Sequence, residues 1–231
     1  MWTLHIAGLC IGLEAPESAL TELDEVYREF TVRGREYAAD DRNPHLCFAG
    51  CSACCRRGAF FAVTLVEALR WAQAVADLRE PLRSAARRDG ERLLTAQDSL
   101  FQGSGEAPDV PGRRDERLFS ARVSRVASTG PACPLLDGDL CGVYEGRPFL
   151  CRAYGFPVDA YSVEGDGAIV FRSLCHLYAG KELREYVQAR DLKQRLGELS
   201  RRLAGGRELG RFTSAEAILA RLETSPLPVA W

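Results

Sequence analysis

The sequence predicts a mainly α fold with a small β element: a compact helical domain around a loop-built cysteine metal site. Three observations predict it. Apolar residues recur at spacings of three, four and seven in long stretches, the period of one helical face. Thr-x-x-Glu occurs at Thr64–Glu67 and again at Thr213–Glu216, the capping-box signature of a helix start. Residues 47 to 55 read "CFAGCSACC", four thiols in a stretch that follows a proline and reads as a loop.

The elements follow in chain order. Leu4 to Leu13 is apolar with no Lys or Arg before it. A secretory leader would carry a basic n-region, so this reads as ordinary N-terminal chain. From Pro16 to Tyr37 the residues Leu20, Leu23, Tyr27, Phe30 and Tyr37 mark one helical stripe, and Pro44 disfavours its continuation. Thr64 opens a second helix to about Arg79. Pro81 suits the first turn of a third, to about Phe101. "QGSGEAPDVPG" breaks the chain, and a short strand is expected over Leu118 to Val126. The stretch from Gly130 to Pro157 is too rich in Gly and Pro to be regular throughout. "AYSVEGDGAIVF" reads as a hairpin turning at Gly165 to Gly167. A long helix with Leu192, Leu196, Leu199 and Leu203 on one stripe follows, and Thr213 opens a short terminal helix. Three parts are expected: an N-terminal helical segment over 1–45, a cysteine-cluster metal-binding domain over 46–180, and C-terminal helices over 181–231.

The chain has 231 residues, with 30 Lys and Arg against 32 Asp and Glu. That balance gives no electrostatic footprint for nucleic acid, and none is expected as a partner. No apolar run approaches the roughly 20 residues that cross a bilayer, so no membrane partner is expected and the location is read as cytoplasmic. In a reducing cytosol disulfides are poor candidates for clustered thiols. Nine cysteines is also an odd number, so one at least stays unpaired within the chain. Metal binding is the better hypothesis.

The pattern runs Cys47-x3-Cys51-x2-Cys54-Cys55, then Cys133-x7-Cys141-x9-Cys151, then Cys175. These eight are the candidate metal ligands. Zinc takes four thiolates tetrahedrally, and iron–sulfur clusters also use cysteine. Between the two groups lie 77 residues, including a helical pair that can return the chain to its start, so the metal would clasp two halves of the fold. Adjacent thiols tend to diverge, and Cys54–Cys55 therefore hints at two metal positions or a polynuclear centre. Cys10 lies outside the pattern and reads as a buried small hydrophobe. His45 and His176 flank ligands and read as surface or packed residues. Arg147 and Arg152 flank the second group, where guanidinium groups would neutralise thiolate charge. The bland alternative is an ion pair of Arg147 with Glu145. Arg56 and Arg57 either lower a thiol pKa or are solvated, and Asp137 is expected to cap the "DGD" turn.

With "CFAGCSACC", "VTLVEA" and "CPLLDGDLCGVYEGRPFLCRAYGFP" in order, the chain resembles the YkgJ family of cysteine-cluster proteins over roughly Leu46 to Cys175. The resemblance implies chelation of zinc or iron. Beside it the sequence holds no nucleophile elbow, phosphate-binding loop, dinucleotide fingerprint or zinc-protease helix motif. The leading reading is therefore a metal-binding protein whose cofactor is zinc or an iron–sulfur cluster. The alternative is a metal- or iron–sulfur-dependent enzyme that modifies a protein or small molecule. A third reading, a scaffold for a protein partner, requires an exposed apolar patch on the Leu192 to Leu203 helix.

Overall fold

Two helices with buried faces frame the molecule. A computed structural model of the chain describes residues 2–43, 50–57, 61–102, 131–159, 161–162, 169–170 and 185–224. Helix α1 (Pro16–Ala39) buries Leu20, Leu23, Val26, Tyr27, Phe30 and Tyr37, the stripe its spacing dictates. Helix α3 (Leu65–Ala76) buries residues on nearly every side, including Val66, Glu67, Leu69, Trp71 and Val75, as a central helix must. The short helix α2 (Ala53–Arg57) precedes it, and α4 (Leu82–Gln102) follows.

The C-terminal part closes around this pair. Helix α6 (Arg190–Leu203) turns Leu192, Leu196, Leu199 and Leu203 into the core, where it packs on α1 and α3. The apolar patch that a scaffold reading required is thus buried. Helix α7 (Ser214–Leu219) packs on α3 and α4. Helix α5 (Phe149–Ala153), between these halves, is a single turn carrying Cys151.

Both capping boxes form. Thr64 accepts from Glu67 N–H while Glu67 accepts from Thr64 N–H, and Thr213 and Glu216 repeat the arrangement. The strands that lead into these helices, β3 (Ala62–Val63) and β10 (Phe212–Thr213), pair antiparallel with Phe212 opposite Val63. The two Thr-x-x-Glu starts thus sit side by side.

The apolar N-terminus proves more regular than expected. β1 (Trp2–Ile6) and β2 (Leu9–Leu13) form a hairpin with Leu4 opposite Ile11. Its two turn residues, Ala7 and Gly8, take φ of 51° and 76°, which matches a right-twisted two-residue turn. Leu4, Ile6, Ile11 and Leu13 alternate inward. A terminal strand, β11 (Arg221–Thr224), adds to β1 and completes the order β11-β1-β2.

Among the described residues three smaller strand pairings complete the fold. β4 (Leu136–Asp137) and β5 (Leu140–Cys141) form a tight hairpin. β6 (Val158–Asp159) pairs parallel with β9 (Val187–Gln188). β7 (Tyr161–Ser162) pairs antiparallel with β8 (Ile169–Val170), the hairpin expected from "AYSVEGDGAIVF". The described residues are therefore mainly helical with small sheets, as predicted. Among them no helix is long and apolar enough to cross a membrane. The strand expected over Leu118 to Val126, and Cys47, Cys175, His45 and His176, lie outside the described residues.

Candidate metal centre

Six of the eight expected ligands are described. Cys51, Cys54, Cys55, Cys133, Cys141 and Cys151 are half-buried and unbridged. Cys54 and Cys55 lie on α2, Cys133 just before β4, Cys141 in β5 and Cys151 in α5.

A polar clamp joins the first two segments. Cys133 N–H donates to the Cys55 carbonyl at 2.7 Å. The β4–β5 turn carries Gly138 at φ 60°, the conformation that glycine supplies at a tight hairpin. This turn presents Asp139, which accepts from Ser52 Oγ at 2.6 Å and from Arg56 Nη2 at 2.6 Å. Arg56 also donates to the Gly138 carbonyl at 3.0 Å. The expectation for the "DGD" turn is therefore shifted by two residues: Asp139 holds the segments together, while Asp137 is exposed strand. Arg56 is engaged by this clamp and is not free beside Cys55.

The third segment is anchored by the second-helix cap. Glu67 is buried, and its Oε2 accepts from Thr64 N–H and Thr64 Oγ1, both at 2.8 Å. Its other oxygen accepts from Phe149 N–H at 2.7 Å. One carboxylate thus caps α3 and fixes the start of α5, two residues before Cys151. Nothing but the buried pairing reveals this role; the capping-box spacing alone accounts for only half of it.

The thiols are electrostatic neighbours across the segments. Hydrogen bonding to Cys55, then burial, pushes the Cys54 thiol well above its ordinary range. Burial pushes Cys133 up to about 12. Cys141 is raised chiefly by burial, and Cys151 by burial and then by the thiols of Cys133, Cys141 and Cys54. Arg147 opposes the rise at both Cys141 and Cys151. Its guanidinium stacks on the exposed Tyr144 ring at 3.5 Å; no pairing with Glu145 forms. Arg152 is turned elsewhere, its guanidinium lying 4.1 Å over the Tyr27 ring. Only one of the two flanking arginines thus acts on the thiols.

Two further expectations change. Cys54 and Cys55 do not diverge: on the short helix α2 their Sγ atoms lie 3.9 Å apart. Cys10 is exposed on β2 rather than buried, since alternation in that strand turns Ile11 and Leu13 inward. Among the described residues, no three Cys, His, Asp or Glu side chains already stand as one ion's ligand set.

The described residues define a class: a mainly helical protein in which the Cys51–Arg57 and Cys133–Cys141 segments are tied together by a backbone hydrogen bond and by the Asp139 clamp. Residues 46–176 match the model of the CxxCxxCC family, a domain to which zinc or iron chelation is ascribed. The chain belongs to that family, and the assignment supports metal binding. No curated protein and no solved structure is a significant match.

Proposed function

We propose that the protein chelates a metal, zinc or an iron–sulfur centre, through cysteines from both chain segments, and that the metal stabilises the joined arrangement. The candidate ligands are Cys47, Cys51, Cys54, Cys55, Cys133, Cys141, Cys151 and Cys175. The observation that carries the reading is the 3.9 Å separation of Cys54 and Cys55 Sγ. Four thiolates about an ion with bonds of ~2.3 Å have a tetrahedral edge of about 3.8 Å. The adjacent pair therefore suits two corners of one ion, which weakens the case for two separate metal positions built on that pair. Raised thiol pKa values agree with a site that is neutral as free thiols and gives up protons when metal binds. Arg147 would offset part of the thiolate charge that then accumulates.

Zinc and iron both favour thiolate, so the metal is decided by measurement. Anaerobic purification followed by elemental analysis and an absorption spectrum distinguishes them. A colourless protein with stoichiometric zinc selects zinc; a brown protein with broad visible absorption and bound iron selects an iron–sulfur centre. A protein that holds neither after reconstitution overturns the proposal.

A further inference from the structure

A cleft of about 1230 Å³, lined by Arg152 of α5, opens between α1, α3 and β11. Six arginines line it: Arg28, Arg35, Arg70, Arg87, Arg152 and Arg221. We infer that this cleft binds a small, multiply charged oxyanion, with Tyr27, Arg70 and Arg152 as its floor and Arg28, Arg35 and Arg221 as its rim.

The floor carries donors that the fold leaves idle. Tyr27 is only 3% exposed, yet its hydroxyl has no hydrogen-bond partner. Arg70 Nε is likewise buried and unpartnered, although the same side chain holds Asp24 at 2.6 Å. Buried polar atoms are nearly always satisfied, and each exception calls for an explanation. A ligand oxygen in the cleft supplies one for both atoms.

Charge points the same way. Arg152 is half-buried and donates to the backbone carbonyls of Arg147 and Glu145, but no carboxylate pairs with it among the described residues. A partly buried cation held by carbonyl oxygens, with no carboxylate in ion-pair contact, is costly. Its stacking on Tyr27 fixes the plane of the guanidinium, which suits bidentate recognition of phosphate or carboxylate. At the rim, Arg28, Arg35 and Arg221 are exposed and have no acidic partner among the described residues. Four carboxylates also line the cleft, Asp24, Asp77, Glu145 and Glu223. Asp24 is held by Arg70 at 2.6 Å, so one of the four is already engaged. The volume exceeds that of a single phosphate and suits a larger ligand. Because Arg152 follows Cys151 directly, such a ligand would bear on the same turn that presents a candidate metal ligand. The site itself does not depend on the metal assignment.

The test titrates the full chain, as purified with its metal, with pyrophosphate and with citrate at low salt, followed by calorimetry. Saturable one-site binding of at least one anion is expected. Preference for pyrophosphate identifies a phosphate-bearing ligand, and preference for citrate a polycarboxylate; equal affinity supports the shared oxyanion chemistry. Arg152→Gln should weaken binding about tenfold or more, the loss of a charge-assisted bidentate contact. Arg28→Gln with Arg35→Gln, both exposed and so harmless to folding, should weaken it several-fold. Tyr27→Phe should weaken it with an unchanged melting temperature in the absence of anion. Arg201→Gln, whose partner Glu198 lies on α6 away from the cleft, should leave it unchanged. Absence of saturable binding by both anions overturns the inference. Binding that survives intact in Arg152→Gln and in the Arg28/Arg35 double variant overturns it equally.

Discussion

Glu67→Gln should destabilise the protein by more than its chemistry suggests. The two carboxylate oxygens serve three donors: Thr64 N–H and Thr64 Oγ1 on one side, Phe149 N–H on the other. Glutamine keeps the shape but turns one oxygen into an NH2 group. In the less harmful orientation that group faces Phe149 N–H, so one bond is lost and two donors confront each other in a buried place. Hydrogen bonds involving charged groups contribute about 1.5–3 kcal/mol, and a buried unsatisfied group costs about 1–3 kcal/mol. A loss of about 2–4 kcal/mol follows. For a chain of this size each kcal/mol lowers the melting temperature by about 2–4 °C, so a drop of roughly 5–12 °C is expected by calorimetry or circular dichroism. Because Phe149 opens α5, the same variant should also bind metal less tightly in a chelator competition. Glu67→Ala, which orphans all three donors, should be worse on both counts. A Glu67→Gln protein that melts within about 1 °C of the parent and holds metal equally well would show that the buried carboxylate does not tie α3 to α5.

Other outcomes follow from the centre. Chelating the metal should lower the melting temperature, since binding energy for a ligand set spread along the chain is folding energy; an unchanged melt after verified removal counts against a structural role. Cys54→Ser and Cys55→Ser should each reduce metal per protein, and by similar amounts if both thiols serve one ion; full occupancy in either removes that residue from the ligand set. Asp139→Asn should weaken metal binding while leaving helix content intact, because it releases Ser52 and Arg56 from the β4–β5 turn. Ser52 and Arg56 hold the Asp139 carboxyl below the usual carboxylate range. The clamp is therefore complete above that range and is lost as pH falls through the lowered value. The parent's advantage over Asp139→Asn in metal affinity should be constant near neutrality and shrink on acidification. Arg147→Gln should also weaken metal binding, since it removes the cation that opposes the raised pKa of Cys141 and Cys151; equal affinities in parent and variant would remove Arg147 from any part in the centre.

The helices were legible because their signals are local. The stripe from Leu20 to Tyr37, the leucines of α6 and both Thr-x-x-Glu caps are written in spacings of three and four. The hairpin of β1 and β2 was missed because five-residue alternation is brief, and its turn is Ala-Gly rather than the common Asn-Gly. β11 was missed for another reason: Arg221–Thr224 has little inward pattern of its own and becomes a strand only by pairing with β1. At the centre, the thiol types and their two groups could be read directly. The clamps could not, because Ser52, Arg56 and Asp139 meet across more than eighty residues of chain, and Glu67 reaches Phe149 across a similar gap. The mutual approach of Cys54 and Cys55 is a matter of side-chain placement, which residue types and spacing do not specify. Tyr27 read as one more member of an apolar stripe, and only its unpartnered hydroxyl sets it apart.

The outer sheet has a consequence for the order in which this chain can fold. β1 finds its second partner far along the chain, with Trp2 opposite Thr224, so that pairing must wait until everything between the two strands has left the ribosome. All eight candidate ligands lie inside the loop it closes. Closing a loop costs conformational entropy that grows with the logarithm of its length. A metal that joins Cys55's neighbourhood to Cys133's removes the intervening span from that larger closure. The inner clasp therefore shortens the search for the outer seam, and refolding in the presence of metal should speed the last, sheet-forming phase rather than the early formation of helices.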